Sequence, residues 1–334
     1  MSMKALLSIL LFQFLCVFSY GQDHKLKNLD INLENYAYPF SVSFLEINNQ
    51  NQQLKMAYMD IKPSSPNGKS IVLLHGKNFN GAYWETTINA LTKAGYRVIV
   101  PDQIGFGKST KPMNYQYTFQ QLALNTKALL EYLNVTKTAI LGHSMGGMLA
   151  TRFALMYPET TEKLILENPI GLEDWKVKVP YKPITWWYEN ELKSNYEDIK
   201  KYQMSNYYDG KWNDDFDRWA KLLAGWTLNK DYKIIAWNAA LTYDMVFTQP
   251  VFYEFGNVSS PTLLIIGDRD KTAVGKPLVS EAVRATMGNY KQLGRATQNM
   301  IPNAQLIELE DVGHLPHIEA FDNFINPLIK FLEE

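Results

Sequence analysis

The stretch TAILGHSMGGMLA, Thr138 to Ala150, decides the fold. A short apolar run leads into Gly142-His143-Ser144-Met145-Gly146, and a run of small and apolar residues follows, reading as the start of a helix. This is the G-x-S-x-G pattern in the setting it requires, a buried strand before it and a helix after it. A strand-to-helix turn this tight puts its apex residue in strained backbone geometry with positive φ. Glycines at 142 and 146 remove the Cβ atoms that would collide across the turn. The apex is Ser144, whose hydroxyl is expected to stand clear of the sheet at the helix N-terminus.

Outward from this turn, apolar strands alternate with amphipathic helices. Val42–Ile47 and Leu54–Ile61 read as a hairpin around Asn48-Asn49-Gln50-Asn51. Ser70–Leu74, Arg97–Val100, Lys163–Glu167, Pro261–Gly267 and Ala304–Leu309 read as strands, several of them apolar enough to be buried on both faces. Helices are expected over Tyr83–Ala94, closed by Gly95, over Thr118–Leu133 with Thr118 as N-cap, from the serine turn to about Tyr157, and over Ile318–Glu334. Strands alternating with helices imply an α/β fold, a mostly parallel eight-stranded sheet with helices on both faces and the hairpin at one edge. Residues 172–257 break the alternation. They hold no buried-strand pattern and carry seven of the eight tryptophans: Trp175, Trp186, Trp187, Trp212, Trp219, Trp226 and Trp237. The expected organisation is a main body of 22–171 and 258–334 with a helical cap inserted at 172–257. Ligands in such sheets bind at the carboxyl ends of the strands, where this insertion emerges. Segment 275–300 is expected to add a helix near the site entrance.

The 334-residue chain is 46% hydrophobic and 20% charged, with a formal net charge of −1. Such a balance gives no electrostatic reason for a nucleic-acid or anionic-membrane partner. The N-terminus reads as a signal peptide over residues 1–21. Lys4 precedes the apolar run Ala5–Phe18, which is too short for a spanning helix, and small residues precede a cut between Gly21 and Gln22. Export to the periplasm or medium, with no stable membrane anchor, is the expectation. Cys16, the only cysteine, lies in that leader, so the mature chain would hold no disulfide, thiolate metal site or cysteine nucleophile.

Together these motifs resemble the α/β-hydrolase superfamily over essentially all of the mature chain. The matching residues are His75-Gly76, Asp102-x-x-Gly105-x-Gly107-x-Ser109, Gly142-His143-Ser144-Met145-Gly146-Gly147, Gly267-x-x-Asp270 and Gly313-His314, in the family's order. The resemblance is to the cap-bearing branch of serine esterases, C–C hydrolases and haloperoxidase-like enzymes. It implies Ser144 as nucleophile, His314 as base and Asp270 as acid, with no cofactor and no metal. A serine hydroxyl needs such a base, and the base needs a carboxylate to fix its tautomer. His317 competes with His314 and is read as a supporting or surface histidine. Asp268, read as a loop cap, and Glu167 compete with Asp270. The resemblance also implies an oxyanion hole from the backbone N–H groups of Met145 and Lys77, supported by His75, Gly76 and His143. The charge on Lys77 is unusual there. The Asp102–Ser109 loop is read as structural, since its glycines do not open a phosphate-binding pattern.

The implied function is an exported serine hydrolase acting through an acyl-enzyme on a carboxylic ester, lactone or amide. Its small-molecule substrate is expected to be apolar or aromatic, because one or two of the cap aromatics, among Trp186, Trp187, Trp212 and Tyr243, would roof a pocket while most of them pack as core. Serine at 144 speaks against epoxide hydrolases and haloalkane dehalogenases, which carry aspartate there. The alternatives are a C–C bond hydrolase of ring-cleavage diketones, which shares the Ser-Met-Gly-Gly turn, and, more remotely, a non-catalytic ligand-binding protein on the same fold.

Overall fold

A computed structural model describes residues 26–334; the leader, its cut site and His24 lie outside the described residues. Eight strands form one sheet: β1 Ser43–Asn49, β2 Gln52–Ile61, β3 Ser70–Leu74, β4 Arg97–Pro101, β5 Thr138–His143, β6 Thr161–Glu167, β7 Thr262–Gly267 and β8 Ala304–Leu309. Their order is β1-β2-β4-β3-β5-β6-β7-β8. β1 and β2 pair antiparallel at one edge and β2 meets β4 antiparallel, while all pairings from β4 to β8 are parallel. The hairpin is tighter than the sequence suggests. Gln50 and Asn51, both with positive φ, make a two-residue turn, a geometry that matches the twist of the flanking strands and lets them run to Asn49 and from Gln52.

Side chains alternate across the central strands. Val72, Leu74, Ile140, Leu164, Leu166, Leu264 and Ile266 point to one face, covered by α2 (Phe119–Tyr132), α3 (Met145–Met156) and, from near the other edge, α9 (Tyr290–Met300). Ile71, Leu73, Leu141, Ile165, Leu263 and Ile265 point to the other, covered by α1 (Glu85–Lys93) and α11 (Phe321–Glu333). Thr118 caps α2 by accepting from the Gln121 N–H, as expected. The expected helix at 275–300 is broken: a short turn, then α8 (Glu281–Arg284), then α9, which packs on β7 and β8 as part of the sheet's cover. The closing helix is likewise divided into α10 (Pro316–Glu319) and α11.

Between β6 and β7 run α4 (Ile184–Glu191), α5 (Tyr196–Asn206), α6 (Asp214–Thr227) and α7 (Tyr232–Thr248), α4 packing on α7 and α5 on α6. Most of the tryptophans here are structural. Trp175, Trp219 and Trp226 are buried in the two cores, and Trp212 packs on Tyr208 and Phe216 while donating to Asp217. The polar stretch before β1 is also part of the body. Leu29 and Leu33 are buried, the Leu29 N–H donates to the Gly225 carbonyl of α6, and the Trp226 indole donates to Asp30 O. Among the described residues, no helix is long and apolar enough to cross a membrane.

The serine turn is closed by backbone contact. A Cβ on Gly142 would lie 2.0 Å from Gly146 O, and one on Gly146 would lie 2.2 Å from Leu74 O. Neither carbonyl can move without breaking the strand or helix it belongs to. Gly142→Ala is therefore expected to lower unfolding free energy by about 3 kcal/mol or prevent folding. Gly256→Ala, whose Cβ would meet nothing closer than 3.9 Å, should change it by no more than about 0.5 kcal/mol. Urea denaturation of both variants checks the pair.

Candidate active site

Ser144, Asp270 and His314 leave the carboxyl ends of β5, β7 and β8, three strands near one another in the same parallel run. The turn geometry makes Ser144 adopt φ 57° and ψ −121°, and its side chain makes no capping bond to α3, which leaves the hydroxyl free. His314 Nε2 lies 3.0 Å from Ser144 Oγ and His314 Nδ1 lies 2.6 Å from Asp270 Oδ2. A carboxylate only accepts, so Nδ1 carries the proton and Nε2 accepts from the serine hydroxyl. Ser144 is 6% exposed, Asp270 2% and His314 0%, so all three sit out of bulk water.

Asp270 is fixed at both oxygens. Oδ2 also accepts from Asn168 Nδ2 at 2.8 Å, and Oδ1 accepts from the Thr272 N–H at 2.7 Å. Asn168 in turn accepts from the Gly267 N–H at 2.9 Å, locking the ends of β6 and β7 together. Asp268 takes the loop-cap role, accepting from the Asp311 N–H at 2.9 Å. Glu167 does not approach His314. Its Oε1 accepts from both the backbone N–H and Nδ1 of His317, at 2.9 and 2.7 Å. His317 is accordingly buried, stacked on Trp84 at 4.3 Å between ring centroids, and the surface reading of this histidine is corrected.

His75, Gly76 and His143 form a second connected system. The Gly76 N–H donates to Tyr83 Oη at 3.0 Å, Tyr83 Oη lies 3.0 Å from His143 Nδ1, and His143 Nε2 lies 2.8 Å from the carbonyl of His314. The carbonyl must accept, so His143 holds its proton on Nε2 and the tyrosine donates to Nδ1. Burial, with His314 and His317 nearby, pushes the His143 pKa well down and keeps the ring neutral. Burial, with Glu167 nearby, pushes the Tyr83 phenol up and keeps it protonated. His75 accepts from the Gln103 N–H at 3.1 Å, and its Nδ1 lies 2.9 Å from Gly76 O, fixing the exit of β3. The backbone N–H groups of Lys77 and Met145 have no hydrogen-bond partner among the described residues.

Asp102 justifies the structural reading of its loop. Its carboxylate accepts from the Gly81 and Lys108 N–H groups, each at 2.7 Å, and from the Tyr38 hydroxyl at 2.7 Å. Gly107, at φ 48°, lies so close to this carboxylate that a Cβ there would come within 2.1 Å.

The inserted helices contribute residues that spacing rules did not select. Tyr207 follows α5; its carbonyl accepts from the His314 N–H at 2.7 Å and its ring stacks on the imidazole at 4.6 Å. Its hydroxyl accepts from Asn78 Nδ2 at 2.8 Å, tying the insertion to the β3 loop. Trp187 stacks on Tyr243 with centroids 3.6 Å apart, while Trp186 meets Trp187 edge-on. Of the four aromatics singled out for a pocket roof, Tyr243 is the one beside Lys77, whose Nζ is 5.7 Å from its ring centroid.

Removing one hydroxyl tests the buried relay. Tyr83→Phe leaves the Gly76 N–H and His143 Nδ1 unsatisfied and is expected to destabilise the fold by about 1–3 kcal/mol. Tyr132→Phe, at an exposed position, should leave the urea midpoint unchanged; equal midpoints for the two variants would contradict the relay.

A family model described as alpha/beta hydrolase fold matches residues 69–321. A solved structure of a probable hydrolytic enzyme from Pseudomonas aeruginosa PAO1 superposes with a TM-score of 0.91 at 49% identity, over 92% of this chain and 99% of that one. Lipase 3 of Moraxella sp. (strain TA144) is 29% identical over 278 residues, 81% of this chain and 79% of the lipase. A haloalkane dehalogenase of Mycolicibacterium paratuberculosis is 30% identical over 174 residues, which span 48% of this chain and only 57% of that protein. The three strand-end residues, their glycine-lined turn and these matches lead to one conclusion: the chain belongs to the alpha/beta hydrolase fold family.

Proposed function

We infer that this protein is an exported serine hydrolase that cleaves a carboxylic ester or a related lactone or amide through an acyl-enzyme. The observation that carries this reading is the unbroken series Ser144 Oγ, His314, Asp270, at 3.0 and 2.6 Å, together with the Met145 and Lys77 backbone N–H groups, which have no partner among the described residues. The likeness to a lipase over most of both chains supports ester hydrolysis. Export rests on the apolar leader of the sequence.

In this mechanism His314 Nε2 takes the Ser144 proton as Oγ attacks the substrate carbonyl carbon. Asp270, held by Asn168 and Thr272, keeps the imidazole in the required tautomer and stabilises its charged form. The carbonyl oxygen, now an alkoxide, accepts from the Met145 and Lys77 N–H groups. Met145 is the first residue of α3, so the positive end of the helix dipole adds to this stabilisation. Collapse expels the alcohol, protonated by His314, and leaves an ester on Ser144. Water, deprotonated by the same imidazole, then attacks the acyl carbon and restores the serine. The dehalogenase likeness does not extend to this chemistry, because position 144 holds a hydroxyl where that branch uses aspartate. C–C bond hydrolysis of a ring-cleavage diketone remains the second reading, favoured by the Ser144-Met145-Gly146-Gly147 turn.

p-Nitrophenyl esters of increasing acyl length test the reading. Wild type should turn over the shorter esters, and Asp270→Asn should lower kcat by about 10⁴-fold through loss of the productive tautomer. Ser144→Ala should lower it by about 10⁶-fold. Turnover retained in Ser144→Ala would overturn the mechanism. Inert esters with an active diketone assay would favour C–C hydrolysis.

A further inference from the structure

We propose that Lys77 recognises a carboxylate on the substrate, so that the enzyme's preferred ester carries an acid group about one lysine side chain away from the scissile carbonyl. The proposal rests on the serine-hydrolase reading of the site and deepens it.

Lys77 occupies a position where only its backbone N–H has an expected role, yet it extends a charged side chain toward Tyr243 of α7. Its Nζ stands 5.7 Å from the ring centroid of Tyr243. That ring is held at its face and at its hydroxyl. It stacks on Trp187 of α4 at 3.6 Å, and its hydroxyl accepts from the Gly275 N–H at 3.0 Å. An ammonium over an aromatic face retains attraction when its water shell is thinned, but a ring face satisfies none of its three N–H donors.

Other enclosed lysines of this chain have found oxygen partners. Lys108 Nζ donates to Leu33 O, Lys111 Nζ donates to Ser109 O at 2.9 Å, and Lys276 Nζ donates to Lys271 O. Lys77 Nζ has neither a hydrogen bond nor an ion pair among the described residues. The surrounding protein pushes its pKa down, an effect only partly offset by Glu191 at the end of α4. Glu191 is itself engaged, its Oε1 accepting from the Tyr232 hydroxyl at 3.1 Å. Lys77 nonetheless keeps accessible surface, so an anion can reach it. An unpaired, partly desolvated cation is unfavourable by itself and becomes favourable when an anion pairs with it. The aromatic pair Trp187–Tyr243 supplies an apolar wall beside it. Together they fit a ligand with a short apolar spacer ending in a carboxylate, which adds an acid group to the apolar or aromatic substrate class expected from the sequence.

Two pairs of substrates test this at pH 7.5 by titration of released acid. Monomethyl glutarate is paired with methyl pentanoate, placing the carboxylate on the acyl side. Acetoxyacetate is paired with propyl acetate, placing it on the alcohol side. In at least one pair, Lys77→Met should lower the acidic-to-neutral ratio of kcat/KM by ten-fold or more, through KM, and Lys77→Arg should restore most of it. A purely structural role would lower both members together and leave both ratios unchanged, which would overturn the proposal. Binding is measured separately by calorimetry of monomethyl glutarate and acetoxyacetate with Ser144→Ala and with the Ser144→Ala, Lys77→Met double variant. Binding to the first and not the second supports the proposal even if wild type hydrolyses no ester, an outcome that would sink only the serine-hydrolase reading. Equal binding to both, or none to either, overturns it.

Discussion

The constraint on which the rest of this structure depends is the close approach of backbone to backbone around Ser144. Gly142 lies against the Gly146 carbonyl and Gly146 against the Leu74 carbonyl so closely that neither can carry a Cβ, and Gly147 lies against Pro169. The serine is thereby forced to φ 57°, the start of α3 is fixed over the end of β5, and the hydroxyl has no capping duty. Such strain survives only where surrounding structure over-determines it. Here β5 lies between β3 and β6, buried along its whole length, and the Ser144 N–H donates to Glu167 O at 3.2 Å.

The second organising feature is a pair of buried histidine systems that meet at His314. One runs from Asp270 through the His314 ring to Ser144. The other runs from Gly76 through Tyr83 and His143 to the His314 carbonyl. Ring and backbone of the same residue are thus held by different strands' loops, and Tyr207 adds a hold from the insertion. A neighbouring pair, Glu167 with His317, anchors the turn that follows. Desolvation keeps His143 neutral, so this second system neither competes for protons with His314 nor places a cation beside it.

Much of this was legible in the chain because its signals are local. The Gly-x-Ser-x-Gly turn, Gly267-x-x-Asp270 and Gly313-His314 each depend on a strand end and a few following residues, and the strands themselves are apolar enough to read. The split of 275–300 into α8 and α9 was not legible, since Gly288, at φ 68°, ends one segment in a way periodicity does not reveal. Asn168, Tyr83 and Tyr207 were not selected either. Each acts through a partner sixty or more positions away or through its main chain, apart from Tyr83's contact with Gly76, and no spacing rule encodes such a meeting. Leu29 and Leu33 escaped notice because two leucines in a polar stretch form no pattern until α6 is there to receive them.

The central claim is that this geometry activates Ser144 rather than merely positioning it. Reaction of folded residues 22–334 with a fluorophosphonate, followed by mass analysis of the peptides, tests that claim most directly, because the reagent phosphonylates a serine only when a base withdraws its proton. The account predicts a single adduct on the peptide containing Ser144 in wild type, and none in Ser144→Ala or His314→Ala. A folded wild-type protein that stays unlabelled, or one labelled equally after Ser144→Ala, would contradict it.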